Sequence, residues 1–517
     1  MLARKTLLII ANNVAGGILG YIILFVIARY MINADYIYGV VAFGLATLGL
    51  FMFILNPGTN TAHIKKVSEG KDVGTCIGTY LAMKVVLTAF FLIVILVGMF
   101  TWKHIFNQGF ESTKIEVAIY ILLINYVLTS FNGVFVATYE ARKEIAKAQL
   151  GMLMSTLSRL AAVLIIVYFQ MGVYGLAWTW NISMMAYFLV SILMFRGYRI
   201  KRPSWELAKD YIKFAFPIMF ITIASVLVVT TDRVMLGYFW NPEDVGHYFA
   251  AWRITVFIIM FGVAVQKLVF PTISEYHTEN KKGLIQNLSW VAEKYIGLFI
   301  IPICFFMAVF PSDVIHIMTS DDFLPAAPIL RIFAIYSLLI ALNIPYASQF
   351  AGTNRPRMAA LLGIPAAILN ILLNLILVPA SLFGIPLAGL KGVGAALGTL
   401  ISTTIYVVVS RIVIYKSISG TKSNWKIIFN LISAGLMSLF LYYILYQYHP
   451  IVRYYDIFLY MGVGAVIYFA AMFIFRQFTK KEFVYLLKVV DPVQMLKYIK
   501  KEVFARKKQG TDREKGV

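Results

Sequence analysis

The sequence predicts an all-α polytopic membrane protein with about fourteen transmembrane helices. Three observations carry that expectation. Apolar residues fall in runs of about 20, the length a helix needs to cross a bilayer. Sixty per cent of the 517 residues are hydrophobic and 14% are charged, against about 45–50% and about 25% in a soluble domain. Lysine and arginine gather in alternate loops, as in membrane proteins of fixed orientation. The runs are too long and too uniform for an outer-membrane barrel, whose strands of about 10 residues alternate in polarity. An aromatic content of 15% excludes a disordered chain.

Taken in order, the spans fall at 7–28, 38–57, 75–100, 114–138, 148–169, 173–195, 214–237, 247–271, 286–310, 325–350, 359–380, 392–415, 427–447 and 456–475. The first follows Met1-Leu2-Ala3-Arg4-Lys5 and resembles a signal sequence. Its apolar run is too long for one and no small-residue cleavage site follows, so it reads as a retained helix. Span 9 carries Glu293 and Lys294 near its start, and Pro345 interrupts span 10. Pro217, Pro271, Pro345 and Pro365 are positioned to kink their helices.

An even number of spans places both termini on one side. Segments on that side carry 21 basic residues before the tail, and the tail carries 12 more. The opposite loops carry four: Arg29, Lys103, Lys391 and Arg453. Both termini are therefore expected in the cytoplasm, in a cell membrane. The net charge of +22 mostly reports this topology, and nucleic acid is not needed to explain it.

A weak internal repeat suggests the domain plan. Tyr30-Met-Ile-Asn33-Ala-Asp35 matches Tyr238-Phe-Trp-Asn241-Pro-Glu243, each with a glycine shortly after, Gly39 and Gly246. Gly172-Val-Tyr-Gly175-Leu-Ala177 is echoed by Gly389-Leu-Lys-Gly392-Val-Gly394. Six spans per repeat is an even number, so the lobes would be parallel, related by an axis along the membrane normal. The expected division is an N-terminal lobe at 1–195, a cytoplasmic interfacial linker at 196–213, a C-terminal lobe at 214–415, two added helices at 427–475 and a basic tail at 476–517. Ser204 is a candidate N-cap for a short linker helix. The tail at 480–508 alternates apolar and basic residues around Pro492, a pattern for two short amphipathic helices on the membrane face.

Catalytic chemistry is sparse. Cys76 and Cys304 lie in different runs and form no Cys-x-x-Cys or zinc pattern. No phosphate loop and no His-Glu-x-x-His occurs. Gly392-Val-Gly394 lacks the preceding strand of a dinucleotide fingerprint, and close helix packing explains it better. Asp321-Asp322 beside Pro325 reads as a turn rather than a metal site. No catalytic residues and no metal site are expected, and the protein is not expected to be an enzyme.

Polar residues inside the spans are costly and therefore informative. Arg159 lies near the middle of span 5. It is either satisfied within the bundle, by carbonyls or by Ser155 and Ser158, or it lines a wet functional cavity. Asp232-Arg233 in span 7 and Arg253 in span 8 lie at similar depth. They form either an Asp232–Arg253 staple or a site with one arginine free for an anion. Asn12, Asn13, Asn181, Asn343, Asn370 and Asn374 bond between helices or line a cavity. Arg29, Lys84, Lys114, Lys267, Lys294, Arg331 and Arg411 lie nearer span ends and are expected to snorkel. Once groups at the very starts of spans are set aside, eight basic residues face two acidic ones. Such a path favours an anion over a cation.

Fourteen spans with this lobe plan resemble the oligosaccharide flippase family of the multidrug/oligosaccharidyl-lipid/polysaccharide exporter superfamily. The local likeness lies in Phe214-Ala-Phe-Pro217 through Asp232-Arg233-Val-Met-Leu236-Gly237, in Val245-Gly246-His-Tyr248, in Ala250-Ala251 and in Gly389 to Gly398. The resemblance implies alternating-access transfer of a polyprenyl-(pyro)phosphate-linked oligosaccharide to the outer leaflet, for surface glycan assembly. Arg159, Arg253 and Arg233 would then hold the phosphate head, and Asn12, Asn13, Asn181, Asp232, Asn370 and Asn374 would line the cavity. The implied partners are the lipid-linked oligosaccharide, membrane lipids and the glycosyltransferases or polymerase of the same pathway, around a monomeric transport unit. No cofactor is expected, and coupling to a proton or sodium gradient stays open.

Alternatives are a lipid-linked peptidoglycan precursor flippase, a multidrug cation antiporter and, further off, a membrane glycosyltransferase or polymerase or a scaffold of an assembly complex. The first characteristically uses arginines in its first two helices. Here span 1 has only Arg29, at its end, and span 2 has none. The second often uses an acidic residue in span 1, which is missing here.

Overall fold

The computed structural model describes residues 2–105, 110, 112–453 and 455–477. It is almost wholly helical, with 13 helices long and apolar enough to cross a membrane and a fourteenth if one bent pair counts as a single span. The predicted tail helices at 480–508 lie outside the described residues. Contacts divide the chain into two units, residues 1–423 and 424–517.

The first unit opens with α1 (Leu2–Tyr30), α2 (Ala34–Leu50), α3 (Met52–Leu55) and α4 (Thr59–Ser68). Span 2 is the bent pair: the chain turns by 49° between Ala34–Leu50 and Met52–Ser68. That bend falls at Phe51, and a second interruption follows at 56–58, where Pro57 cannot continue a helix and Gly58 adopts φ +91°, which a side chain would oppose. The break frees backbone carbonyls inside the bundle, and Lys84 on α5 (Val73–His104) takes one of them. Its Nζ donates to the Leu55 carbonyl at 2.7 Å, and the residue is 2% exposed. Lys84 was expected to snorkel. It is held inside because a freed carbonyl in an apolar setting attracts a donor more strongly than distant headgroups do.

Next come α6 (Thr113–Ala141), α7 (Ile145–Tyr168), α8 (Gly172–Phe195) and α9 (Trp205–Phe239). Ser204 does cap α9, its Oγ accepting from the Leu207 amide at 3.4 Å. The expected short linker helix is not separate, however: it runs without a break into span 7. Buried Tyr211 explains the continuity. Its hydroxyl lies 2.9 Å from Nδ1 of His63, whose Nε2 lies 2.9 Å from the Thr138 hydroxyl. That chain ties α9 to α4 and α6.

The unit continues through α10 (Pro242–Thr278), α11 (Lys282–Val309), the short α12 (Pro311–Met318), α13 (Ala327–Gly352), α14 (Pro356–Leu377), a two-residue hairpin of β1 (Ser381–Leu382) and β2 (Ile385–Pro386), and α15 (Lys391–Val413). Pro217, Pro271, Pro345 and Pro365 all sit inside continuous helices. Asp321-Asp322 opens a single 3₁₀ turn, with Asp321 bonded to His316 and the Asp322 carbonyl accepting from His247 at 2.9 Å. Gly392 packs on Ile329, and Gly394 lies against the Leu377 carbonyl, so this glycine pair serves close packing.

The two halves of the internal repeat meet where α2 crosses α10. A Cβ on Gly39 would overlap the Pro242 carbonyl oxygen, and a Cβ on Gly246 would overlap the Asp35 carbonyl oxygen. The contact is reciprocal: each glycine meets the backbone of the other helix's first turn. Asp35 and His247 add an ion-pair geometry of 3.6 Å beside it.

The second unit holds α16 (Ile427–Phe440), which runs through a π turn into α17 (Tyr446–Tyr448), and α18 (Asp456–Ile474). Asp456 secures the start of α18 by accepting from the amides of Val452 and Arg453 at 3.0 and 2.7 Å. The Tyr460 hydroxyl donates to the His449 carbonyl at 2.7 Å.

Arg411, also expected to snorkel, instead closes a buried network. It pairs with Glu293 at 2.9 Å, donates to Asn343 Oδ1 and the Leu342 carbonyl, and stacks 3.2 Å from the Tyr346 ring. Tyr346 donates to the same carboxylate at 2.7 Å. This neutralises the Glu293 charge near the start of span 9. Arg411→Met strands the Glu293 carboxylate, a change that costs about 3–5 kcal/mol when a buried pair loses one partner. Thermal unfolding in detergent is expected to fall by several degrees, with Glu293→Gln in the same background recovering most of the loss. An unchanged midpoint in the single variant would contradict the assignment.

Candidate functional site

A cavity of about 290 Å³ opens between α1, α7, α8 and α10. Small residues on α1 create the room. Gly16 has nothing within 4 Å of its Cβ position, and a Cβ on Gly20 would lie 2.9 Å from the Arg253 guanidinium. Asn13, Ser155, Ser183 and Trp180 are among the polar and aromatic lining around Arg159 and Arg253, and among the described residues no carboxylate lines it.

Arg159 is buried, and its guanidinium carbon sits 3.6 Å from the Trp180 ring centre. Trp180 is fixed from behind, since its carbonyl accepts from Asn125 on α6 at 2.8 Å. The two serines weighed as partners are spent elsewhere: Ser155 bonds Ser183 at 2.8 Å, and Ser158 donates to the Ser155 carbonyl. Arg159 Nε has no hydrogen-bond partner. Stacking on an aromatic face is worth about 2 kcal/mol when desolvated. It leaves the in-plane N–H edge open, the edge that grips phosphate with parallel hydrogen bonds.

The expected Asp232–Arg253 staple does not form. Asp232 is buried and accepts from Tyr248, Asn374 and, at 2.9 Å, Thr399. Asn370 donates to Thr399 at 3.1 Å, and Asn374 Oδ1 is buried without a partner. Neutral donors on α10, α14 and α15 satisfy this carboxylate, so among the described residues no cation pairs with it. Arg233, next in sequence, points another way. Its Nη2 donates to the Val229 carbonyl at 3.0 Å, and its guanidinium lies 4.9 Å from the Phe249 ring.

The predicted residues thus separate into groups. Arg159, Arg253 and Asn13 share the cavity. Asp232, Asn370 and Asn374 form the second cluster. Asn12 and Asn181 belong to neither, because each is committed between helices. Asn12 donates to Gln149 Oε1 on α7 at 2.8 Å, and Asn181 to the Ile121 carbonyl on α6 at 2.9 Å. Sequence reasoning missed Trp180, Tyr248, Thr399 and Tyr38. Tyr38 is buried, stacks on Phe249 at 5.2 Å, and lies within electrostatic reach of Arg253, Arg159 and Arg233. Only its place beside Gly39 in the repeat hinted at it.

Comparisons with known proteins agree with this architecture. The MatE family profile matches residues 217–376. Two curated relatives come from Haloferax volcanii. A protein described as a probable low-salt glycan biosynthesis flippase, Agl15, is 26% identical over 242 residues, covering 46% of this chain and 49% of the relative. A probable flippase, AglR, is 26% identical over 247 residues, covering 46% and 48%. The chain thus spans about half the length of these relatives. Among solved structures, the lipid II flippase MurJ in an inward closed conformation superposes with a TM-score of 0.74 at 13% identity, over 90% of this chain and 98% of that one. At that identity the likeness shows the fold alone. The polysaccharide biosynthesis protein profile matches residues 2–277, more than half of the sequence, and this multi-pass membrane chain belongs to that family.

Proposed function

We propose that the protein is a flippase that carries a polyprenyl-(pyro)phosphate-linked oligosaccharide from the cytoplasmic to the outer leaflet by alternating access. The observation that carries the reading is the pair of guanidiniums in one carboxylate-free cavity, Arg159 on Trp180 and Arg253 against Gly20. An arginine at mid-membrane costs about 2.5–3.5 kcal/mol, a cost repaid when an anionic head binds. Such a cavity repels the cations that a multidrug antiporter would carry. Family membership and the likeness to two proteins described as probable flippases support the same direction.

The reciprocal α2–α10 contact supports two six-helix lobes, 1–195 and 214–415, rocking about that crossing. The carrier's tail would stay in lipid while the head crosses. The glycosyltransferases or polymerase of the same pathway are the proposed partners of a monomeric transport unit. We assign any coupling to a proton or sodium gradient to Asp232, a buried carboxylate beside the hydroxyl oxygens of Tyr248 and Thr399. Hard oxygen donors of this kind suit a small cation or a proton.

Three outcomes test these points. In proteoliposomes, Arg159→Met is expected to lower translocation of a fluorescent prenyl-diphosphate-linked sugar at least tenfold at equal protein abundance, with Arg159→Lys recovering part. Full activity of the Met variant would sink the phosphate role. Asp232→Asn is expected to cut stimulation by an imposed sodium or proton gradient at least tenfold. Stimulation equal to that of the parent protein would move coupling elsewhere. For topology, impermeant thiol reagents added outside cells should modify a cysteine at Asn107 and spare one at Lys71, and the opposite pattern would invert the assignment.

A further inference from the structure

Resting on that flippase reading, we propose that Arg233 is a second anion station, separate from the Arg159–Arg253 cavity, to which the phosphate head passes when the Tyr38–Phe249 stack parts. Arg233 is otherwise unexplained. It carries a permanent charge within the bundle, yet among the described residues it makes no ion pair, and its neighbour Asp232 is fully engaged by Tyr248, Asn374 and Thr399. The hydrogen bond recorded for it goes to its own helix, at Val229. It does not line the cavity that holds the other two arginines.

Beside Arg233 stands an aromatic pair. Tyr38 stacks on Phe249 with ring centres 5.2 Å apart, and the Arg233 guanidinium lies 4.9 Å from the Phe249 ring. The charges of Arg253, Arg159 and Arg233 all act on Tyr38, which sits in the α2–α10 contact. Its position is mechanical as well. Tyr38 precedes Gly39, and Phe249 follows Gly246 by three residues. These glycines mark the place where the two backbones touch. Helices that part there must separate Tyr38 from Phe249. One motion therefore opens the crossing and joins Arg233 to the cavity.

The chemistry favours two stations over one. An anion gripped by two uncompensated guanidiniums leaves slowly unless a competing site of the same charge lies next on its path. Binding must be strong enough to admit the head and divided enough to release it. Arg233 offers the same planar donor edge as Arg159, outside the cavity that Arg159 lines.

The test measures binding and transport separately on the full-length protein. Binding is read with farnesyl diphosphate in detergent, and transport with the fluorescent prenyl-diphosphate-linked sugar in liposomes. Arg233→Gln is expected to keep farnesyl diphosphate affinity within twofold while lowering translocation at least tenfold. Arg159→Gln should lower affinity itself at least tenfold. Arg233→Lys keeps charge without the planar stack and should recover at least a third of the rate. Normal translocation by Arg233→Gln would overturn the second station. So would an affinity loss matching that of Arg159→Gln, which would place Arg233 in the first site. A lysine variant no better than the glutamine one would show that Arg233 only staples α9 to Phe249. If Arg159→Gln leaves both measurements unchanged, the flippase reading itself fails, and that result is distinct from the others.

Discussion

Two guanidinium groups share one cavity of this helical bundle, and among the described residues no carboxylate lines it to neutralise either. Much of the surrounding structure follows from that constraint. Arg159 needs a surface that tolerates a cation without consuming its donors, and the Trp180 face supplies one. Arg253 needs volume beside α1, and Gly20 leaves it. The acids that would otherwise quench these charges are held elsewhere. Asp232 is saturated by Tyr248, Asn374 and Thr399, and Glu293 is matched to Arg411. Neither acid is among the residues lining the cavity, so among the described residues its two positive charges have no carboxylate beside them.

The same economy governs backbone contacts. Apolar packing gives little preference among helices when lipid is equally apolar, so close approach at small residues becomes the specific interaction. Gly39 and Gly246 let α2 and α10 touch backbone to backbone, while Gly392 and Gly394 let α15 settle on α13 and α14. Where a helix breaks instead, at Asn56-Pro57-Gly58, a buried lysine supplies the donor that the freed Leu55 carbonyl requires, because the hydrocarbon interior offers no water to do so.

Much of this was legible in the residues. The fourteen apolar runs, the Ser204 cap and the burial of Arg159 all follow from length, spacing and position within a span. The repeat at Asp35 and Glu243 pointed to the two helices that cross. Other features were not legible. Lys84 and Arg411 sit near span ends by count, which suggested snorkelling. Their burial depends on a helix break and on a glutamate 118 positions away. The Asp232–Arg253 pairing looked natural from depth alone, but α10, α14 and α15 bring three neutral donors to the carboxylate first.

The sequence by itself determined that the chain is a bundle of about fourteen membrane-spanning segments and that basic residues outnumber acidic ones inside them. These properties depend on local composition and on the free energy of moving each residue out of water. The tertiary structure alone decided which polar groups meet. Helical periodicity assigns a residue to a face, but the partner on that face comes from another helix, often more than 100 residues distant. Asn13 and Asn12 are adjacent in the chain, yet one lines the cavity and the other bonds Gln149. Asp232 and Arg233 are likewise adjacent and serve different neighbours. A step of about 100° around a helix axis separates these fates, and only the packed bundle says what waits in each direction.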